Sequence, residues 1–187
     1  MAYSTDNVVI QGAHGTFAKQ LVFRQRYGQS LLCKRPKKSN RPLSDAQLLV
    51  RQKFQTASVY AKSVMANPDL LALYQLVAKN GRTAYNVAMA DAFRAPEIRE
   101  LDASAYTGVV GSRIRVRAFD DFKVKAVQVS IFSAANALLE QGAAVMSDNG
   151  MDWMYTATKE NQALKGSKIK AQASDLPGNV TEKEQIL

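Results

Sequence analysis

The chain has 187 residues, of which 47% are hydrophobic and 22% charged, and carries a net charge of +9. That composition excludes the disordered and collagen-like classes, and no run approaches the roughly 18 apolar residues of a membrane span. A single cysteine, Cys33, excludes an internal disulfide framework and fits a reducing compartment.

The charge is unevenly placed: +8 over residues 1–60, +1 over 61–100 and zero over 101–187. A basic N-terminal third on a neutral body predicts an acidic partner for that third, either nucleic acid or an acidic protein face. Met1 to Gln11 lacks the basic region and apolar core of a secretory signal. The expected location is therefore the cytoplasm at synthesis, with release or export as an assembly, and no membrane partner is expected.

Residues 1–15 carry a short apolar run, Val8-Val9-Ile10, before Gly12-Ala13-His14-Gly15. Glycines around a histidine suggest a phosphate-cradling loop, but that pattern needs a Lys-Ser/Thr at fixed spacing and a helix behind it. Neither follows, and the segment reads as a plain turn. Phe17 to Arg26 and Ser30 to Lys34 read as a hairpin closed around Tyr27-Gly28-Gln29. A lone hairpin is marginal in water, so another element or another copy of the chain must cover it. Phe17, Leu21, Phe23 and Leu31 are the expected packing residues of such an interface. Cys33 reads as a small buried hydrophobe. Lys34, Arg35, Lys37, Lys38 and Arg41 form a basic, proline-containing linker that would contact phosphates or an acidic surface.

Ser44 and Gln47 have the spacing of a capping box, and Leu43 and Leu48 that of a hydrophobic staple. Val50, Phe54, Ala57, Ala61 and Val64 then form one apolar stripe at helical steps. Asn67-Pro68 ends that helix and starts another, whose inner face carries Leu70, Leu73, Tyr74 and Val77 until Asn80-Gly81. A third helix is predicted over roughly 84–93, presenting Tyr85, Ala88, Met89 and Phe93. Ala95-Pro96 closes the helical part.

Beyond Pro96 the period changes to two. Ser104 to Thr107 is expected as a first strand. Ile114, Val116 and Ala118 point one way, with Arg113, Arg115 and Arg117 the other; after an Asp-Asp turn, Val127, Val129 and Ile131 alternate in the same manner. These read as neighbouring strands with one buried and one wet face. Further strands are expected over 138–142, 143–146, 152–158, 168–173 and 180–187. The predicted fold class is α+β, divided into a basic β-hairpin arm (1–42), a helical segment of about three helices (43–96) and an antiparallel sandwich (97–187).

About seven short strands at roughly ten-residue spacing is the pattern of an immunoglobulin-like sandwich. Asp120, Asp121, Trp153, Tyr155, Gly166, Ala173, Asp175, Gly178 and Asn179 stand in an order that resembles bacterial Ig-like repeat domains. The chain as a whole resembles a Bacteroidota-like group of bacterial proteins. The resemblance implies an Ig-like fold over the C-terminal half, acting as a spacer or binding surface. In such a fold the turns holding Asp120, Asp121, Asp175 and Asn179 fall at one end of the sandwich. Their oxygens are a candidate calcium set, weighed against Asp and Asn capping their own turns.

Catalytic signatures are lacking. His14 stands far from Cys33 with no carboxylate at a recognisable spacing, and no nucleophile elbow or dinucleotide fingerprint occurs. No cofactor is expected. The sequence predicts a non-enzymatic structural subunit, a homo-oligomer assembling through its arm and sandwich edges. The alternative is a nucleic-acid-binding protein using the basic third.

Overall fold

The structure, a computed structural model, describes residues 2–4, 7–26, 28–37 and 41–187. It falls into two compact units, residues 1–48 and 49–187. The fold class is α+β, as the sequence predicts. Among the described residues no helix is long and apolar enough to cross a membrane.

The first unit is an antiparallel sheet of β1 (Ala2–Ser4), β2 (Gly15–Phe17), β3 (Leu21–Arg26) and β4 (Gln29–Lys34) in the order β1-β4-β3-β2. The predicted hairpin is present, but its first strand is broken in two. Ala18 and Lys19 both take left-handed backbone conformations (φ 49° and 57°), and Gln20 N–H donates to the Phe17 carbonyl at 3.1 Å. Two left-handed residues in succession turn the chain back on itself. Neither is Gly or Asn, so the sequence carries no sign of the turn. Tyr27 and Lys38 lie outside the described residues.

α1 (Asp45–Ala66) starts in the first unit and continues into the second. Its capping box forms as predicted: Ser44 N–H donates to Gln47 Oε1 at 3.1 Å and Gln47 N–H to Ser44 Oγ at 3.4 Å. In α2 (Pro68–Val77) the Asn67 side chain accepts from the N–H groups of Asp69 and Leu70, and Pro68 occupies the first turn. α3 spans Ala84–Phe93 with Thr83 as its cap. Its buried face is Ala84, Val87, Ala88 and Asp91 rather than the aromatic face the sequence suggests. Ala61, Val64, Tyr74, Val87 and Ala88 make the core of this helical segment.

The remaining strands form two antiparallel sheets that share one hydrophobic core. One has the order β5 (Glu97–Asp102), β6 (Arg113–Phe119), β10 (Asp152–Thr156), β9 (Val145–Met146). The other has β12 (Val180–Ile186), β11 (Lys168–Asp175), β7 (Val124–Phe132), β8 (Leu138–Ala143). Ile114, Val116, Val127, Val129, Ile131 and Ile169 are wholly buried between them, and Trp153 and Tyr155 join the core. β6 and β7, alternating and adjacent in sequence, do not pair; they belong to opposite sheets, and the turn at Asp120 carries the chain across.

The first strand of the sandwich is Glu97–Asp102, whereas Ser104–Thr107 lies in a turn region. A bulge hides β5 from a period-two reading. The register skips Arg99 between Ile98 and Glu100, so Ile98 and Leu101, three apart, both turn inward. Lys183 from β12 donates to the Arg99 carbonyl at 2.6 Å, and the Arg99 guanidinium lies 4.2 Å from the centre of the Phe119 ring.

Gly108 sits at φ 80°, where a Cβ would stand 2.5 Å from the Asn161 carbonyl oxygen. Gly108→Ala is expected to lower unfolding stability by at least about 2 kcal/mol, combining left-handed strain with a backbone clash. Urea denaturation of the variant beside the parent protein checks this.

Candidate functional site

Three carboxylates meet where the helical segment joins the sandwich, and each arrives by the periodicity of its own element. Along β6 the inward positions are Ile114, Val116 and Ala118, and the next is Asp120. Along β11 they are Ile169, Ala171, Ala173 and then Asp175. On α3 they are Ala84, Val87, Ala88 and then Asp91. One oxygen of each of Asp91, Asp120 and Asp175 lies within 4.8 Å of the others. Asp91 is 1% exposed and Asp175 wholly buried.

Each carboxylate is held by local bonds. Asp120 Oδ2 accepts from Phe122 N–H at 3.3 Å and Lys123 N–H at 2.9 Å. Asp175 Oδ1 accepts from the N–H groups of Gly178 (2.8 Å) and Asn179 (2.6 Å). These are the turn-capping roles that the sequence allows for aspartate. Asp91 Oδ2 accepts from the Tyr74 hydroxyl. The Asn179 amide binds Asp175 Oδ2 at 2.7 Å and reaches the carbonyls of Asp91, Ala92 and Arg94 at 3.2–3.4 Å, closing the open end of α3. Two oxygens are left over. Asp91 Oδ1 and Asp120 Oδ1 are buried without a hydrogen-bond partner among the described residues.

The electrostatics follow from burial. Desolvation, then the neighbouring Asp120 and Asp175, push the Asp91 carboxyl up to about 7, against the Tyr74 hydrogen bond. Asp175 is raised mainly by burial. Tyr74 is raised by burial and by its bond to Asp91.

Of the predicted oxygen set, Asp120, Asp175 and Asn179 come together, but Asp121 does not. Asp121 turns to solvent and pairs with Arg94 at 2.5 Å. Asp91, which the sequence reading omits, completes the group. Its signal is present in the chain: Ala84, Val87, Ala88 and Asp91 follow the i, i+3, i+4, i+7 rule.

In the arm, the register puts Phe17, Leu21 and Phe23 on one face together with Leu32. Leu31 pairs with Arg24 on the opposite face and is buried. Phe17 is 64% exposed. The Gln25 amide donates to the Ala13 carbonyl and to Ser30 Oγ, and Ser30 Oγ donates to the Ile10 carbonyl, so the 7–14 segment covers the polar end of that face. Lys34, Arg35, Lys37 and Arg41 are exposed. With Lys19 and Leu21, the first three of these line a groove of about 700 Å³. Cys33 is half-buried, and His14 bonds the carbonyl of Gly12.

The sandwich balances its own charges. Arg115 binds Glu100 at 2.8 Å and Asp102 at 3.0 Å, and Arg117 grips Asp152 through two bonds of 2.7 and 3.0 Å. Lys170 and Lys168 pair with Glu182 and Glu184. Arg115 and Arg117 of the outward row of β6 are thus tied down on their own sheet.

No protein-family model matches the chain, and no curated protein matches it. Among solved structures, the chain is similar to a crystal structure of an engineered protein at 13% identity and a TM-score of 0.35. The match covers 55% of this chain and 25% of that one.

Two outcomes are expected. Asn179→Ala leaves the carbonyls at the end of α3 and a buried carboxylate oxygen short of a donor, and is expected to cost about 1–3 kcal/mol by denaturant melts. The second concerns acid. The Arg117 pair holds Asp152 at about 2, below its ordinary 3.8, so its contribution to stability is complete above about pH 4 and disappears as pH falls through 2. In thermal melts across that range, Asp152→Asn should flatten this part of the acid decline.

Proposed function

We propose that the protein is a non-enzymatic structural subunit that assembles with copies of itself through its N-terminal arm and the edges of its sandwich. One observation carries this reading. The apolar stripe of α1 is buried at Ala57, Ala61 and Val64 but runs back into Phe54 and Val50, which are 52% and 55% exposed. Leu48 and Leu49 beside them are exposed as well. Contiguous apolar surface of this kind marks an interaction site. The arm's own sheet has only Ser30 and Leu31 buried among its described side chains.

The sheet edges support the same reading. β9 is two residues long with Val145 and Met146 exposed, and β12 ends on an exposed Ile186. Edge strands with free backbone groups accept strands from other chains. We read the sandwich as Ig-like. The orders β5-β6-β10-β9 and β12-β11-β7-β8 correspond to an ABED sheet facing one built on CFG, which supports that reading.

A second reading has its own observation. Lys19, Lys34, Arg35 and Lys37 line one groove with no acidic residue among its lining, a surface suited to a phosphate backbone. Binding there would weaken steeply with salt.

The purified full chain is expected to run as a multi-subunit assembly in light scattering, and Val50→Glu with Phe54→Glu to reduce it to monomer. A full-length protein that is monomeric at tens of micromolar would sink the assembly reading. The groove is tested by titrating single-stranded and duplex DNA at several salt concentrations. A slope of log affinity on log salt that shrinks by about 2 in Lys34→Ala with Lys37→Ala would favour the second reading instead.

A further inference from the structure

We propose that Asp91, Asp120 and Asp175 form a calcium site that fastens the helical segment to one end of the sandwich. This inference does not depend on self-assembly. Acidic clusters are common, and this one is set apart by its unspent acceptors. Asp91 is 1% exposed, yet its Oδ1 has no hydrogen-bond partner, and Asp120 Oδ1 is buried in the same condition. An unpaired buried carboxylate oxygen is costly, and two beside each other more so. Among the described residues no Lys or Arg forms an ion pair with any of the three carboxylates. Arg82 and Arg94 line the adjoining cavity, and Arg94 is engaged by Asp121.

The donor chemistry points to a hard cation. Three carboxylate oxygens no more than 4.8 Å apart leave a point within roughly 2.8 Å of all of them. Calcium binds oxygen at 2.3–2.6 Å in flexible geometry, whereas magnesium demands a near-ideal octahedron at 2.0–2.1 Å and sheds its water reluctantly. Calcium takes six to eight oxygens, so water must supply the rest. A cavity of about 160 Å³ lined by Asp91, Asp121, Val87 and Phe122 adjoins Asp91 and gives water a way in. The backbone bonds to Asp120 Oδ2 and Asp175 Oδ1, and the Tyr74 bond to Asp91 Oδ2, fix the carboxylates without consuming the two free oxygens.

The competing occupant is a proton shared between Asp91 and Asp120, which would satisfy both oxygens with no metal. The two are separated with full-length protein stripped by chelator at pH 7.5. Calcium at a hundredfold excess over its Kd is expected to raise the melting temperature by roughly 5–10 °C, with magnesium at the same concentration giving a much smaller rise. Asp91→Asn should abolish the calcium response while Asp121→Asn retains it. Because Asp91→Asn could fail to fold, calcium binding to the parent protein is also measured directly by calorimetry, with one site per chain expected. No heat and no thermal shift up to millimolar calcium would overturn the proposal in favour of the shared proton. So would equal responses to both metals, or a response that survives in Asp91→Asn.

Discussion

The helical segment and its junction with the sandwich hang on how Tyr74 is buried. Its ring stacks on Phe122 with centroids 4.3 Å apart, and meets Tyr60 edge-on at 6.5 Å. Its hydroxyl, wholly removed from water, bonds Tyr60 on one side and Asp91 on the other. One side chain therefore ties α1, α2, α3 and the β6–β7 turn together. A phenol in that position needs its hydrogen bonds met, since an orphaned hydroxyl would cancel much of what the ring contributes. The price of meeting them is a buried carboxylate, and the acidic junction follows from it.

The sandwich and the arm manage charge in opposite ways. On the sandwich, arginines and lysines stand opposite carboxylates on neighbouring strands, so a net charge of zero over residues 101–187 reflects pairing as well as composition. Exposed pairs of this kind contribute little to stability, but they leave a surface with no strong field. The arm sets Lys19, Lys34, Arg35 and Lys37 around one groove with no acid among its lining, so like charge is concentrated there.

Much of this fold is legible in the sequence, and the failures have identifiable causes. The caps of α1 and α2 are readable because Ser44, Gln47, Asn67 and Pro68 act locally, through bonds spanning a few residues. The alternation of β6 and β11 is readable because one face is wholly apolar. β5 is hidden from a period-two reading because the bulge at Arg99 breaks the period. The turn at Ala18-Lys19 carries no sequence signal because its residues are ordinary, and the geometry is imposed by pairing across the sheet. Pairing of β6 with β7 could not be decided from alternation, which is identical for strands in one sheet or in two. At the junction, the grouping of Asp120, Asp175 and Asn179 follows from a resemblance. Asp91 is not legible because a lone aspartate on an alanine-rich helix looks like solvent-facing charge until the phase of the buried face is known.

The same phase rule governs which lengths of chain the sandwich can accept. β11 places Lys168, Lys170, Gln172 and Ser174 on one side and Ile169, Ala171, Ala173 and Asp175 on the other over eight residues. One residue inserted within it would exchange the two sets, driving lysines toward the core and lifting Asp175 out of the junction. The turn at 147–150, solvent-exposed and outside the ladders, has no such parity to keep. Changes in chain length therefore belong in the loops, or within a strand only where a bulge such as that at Arg99 absorbs the extra residue.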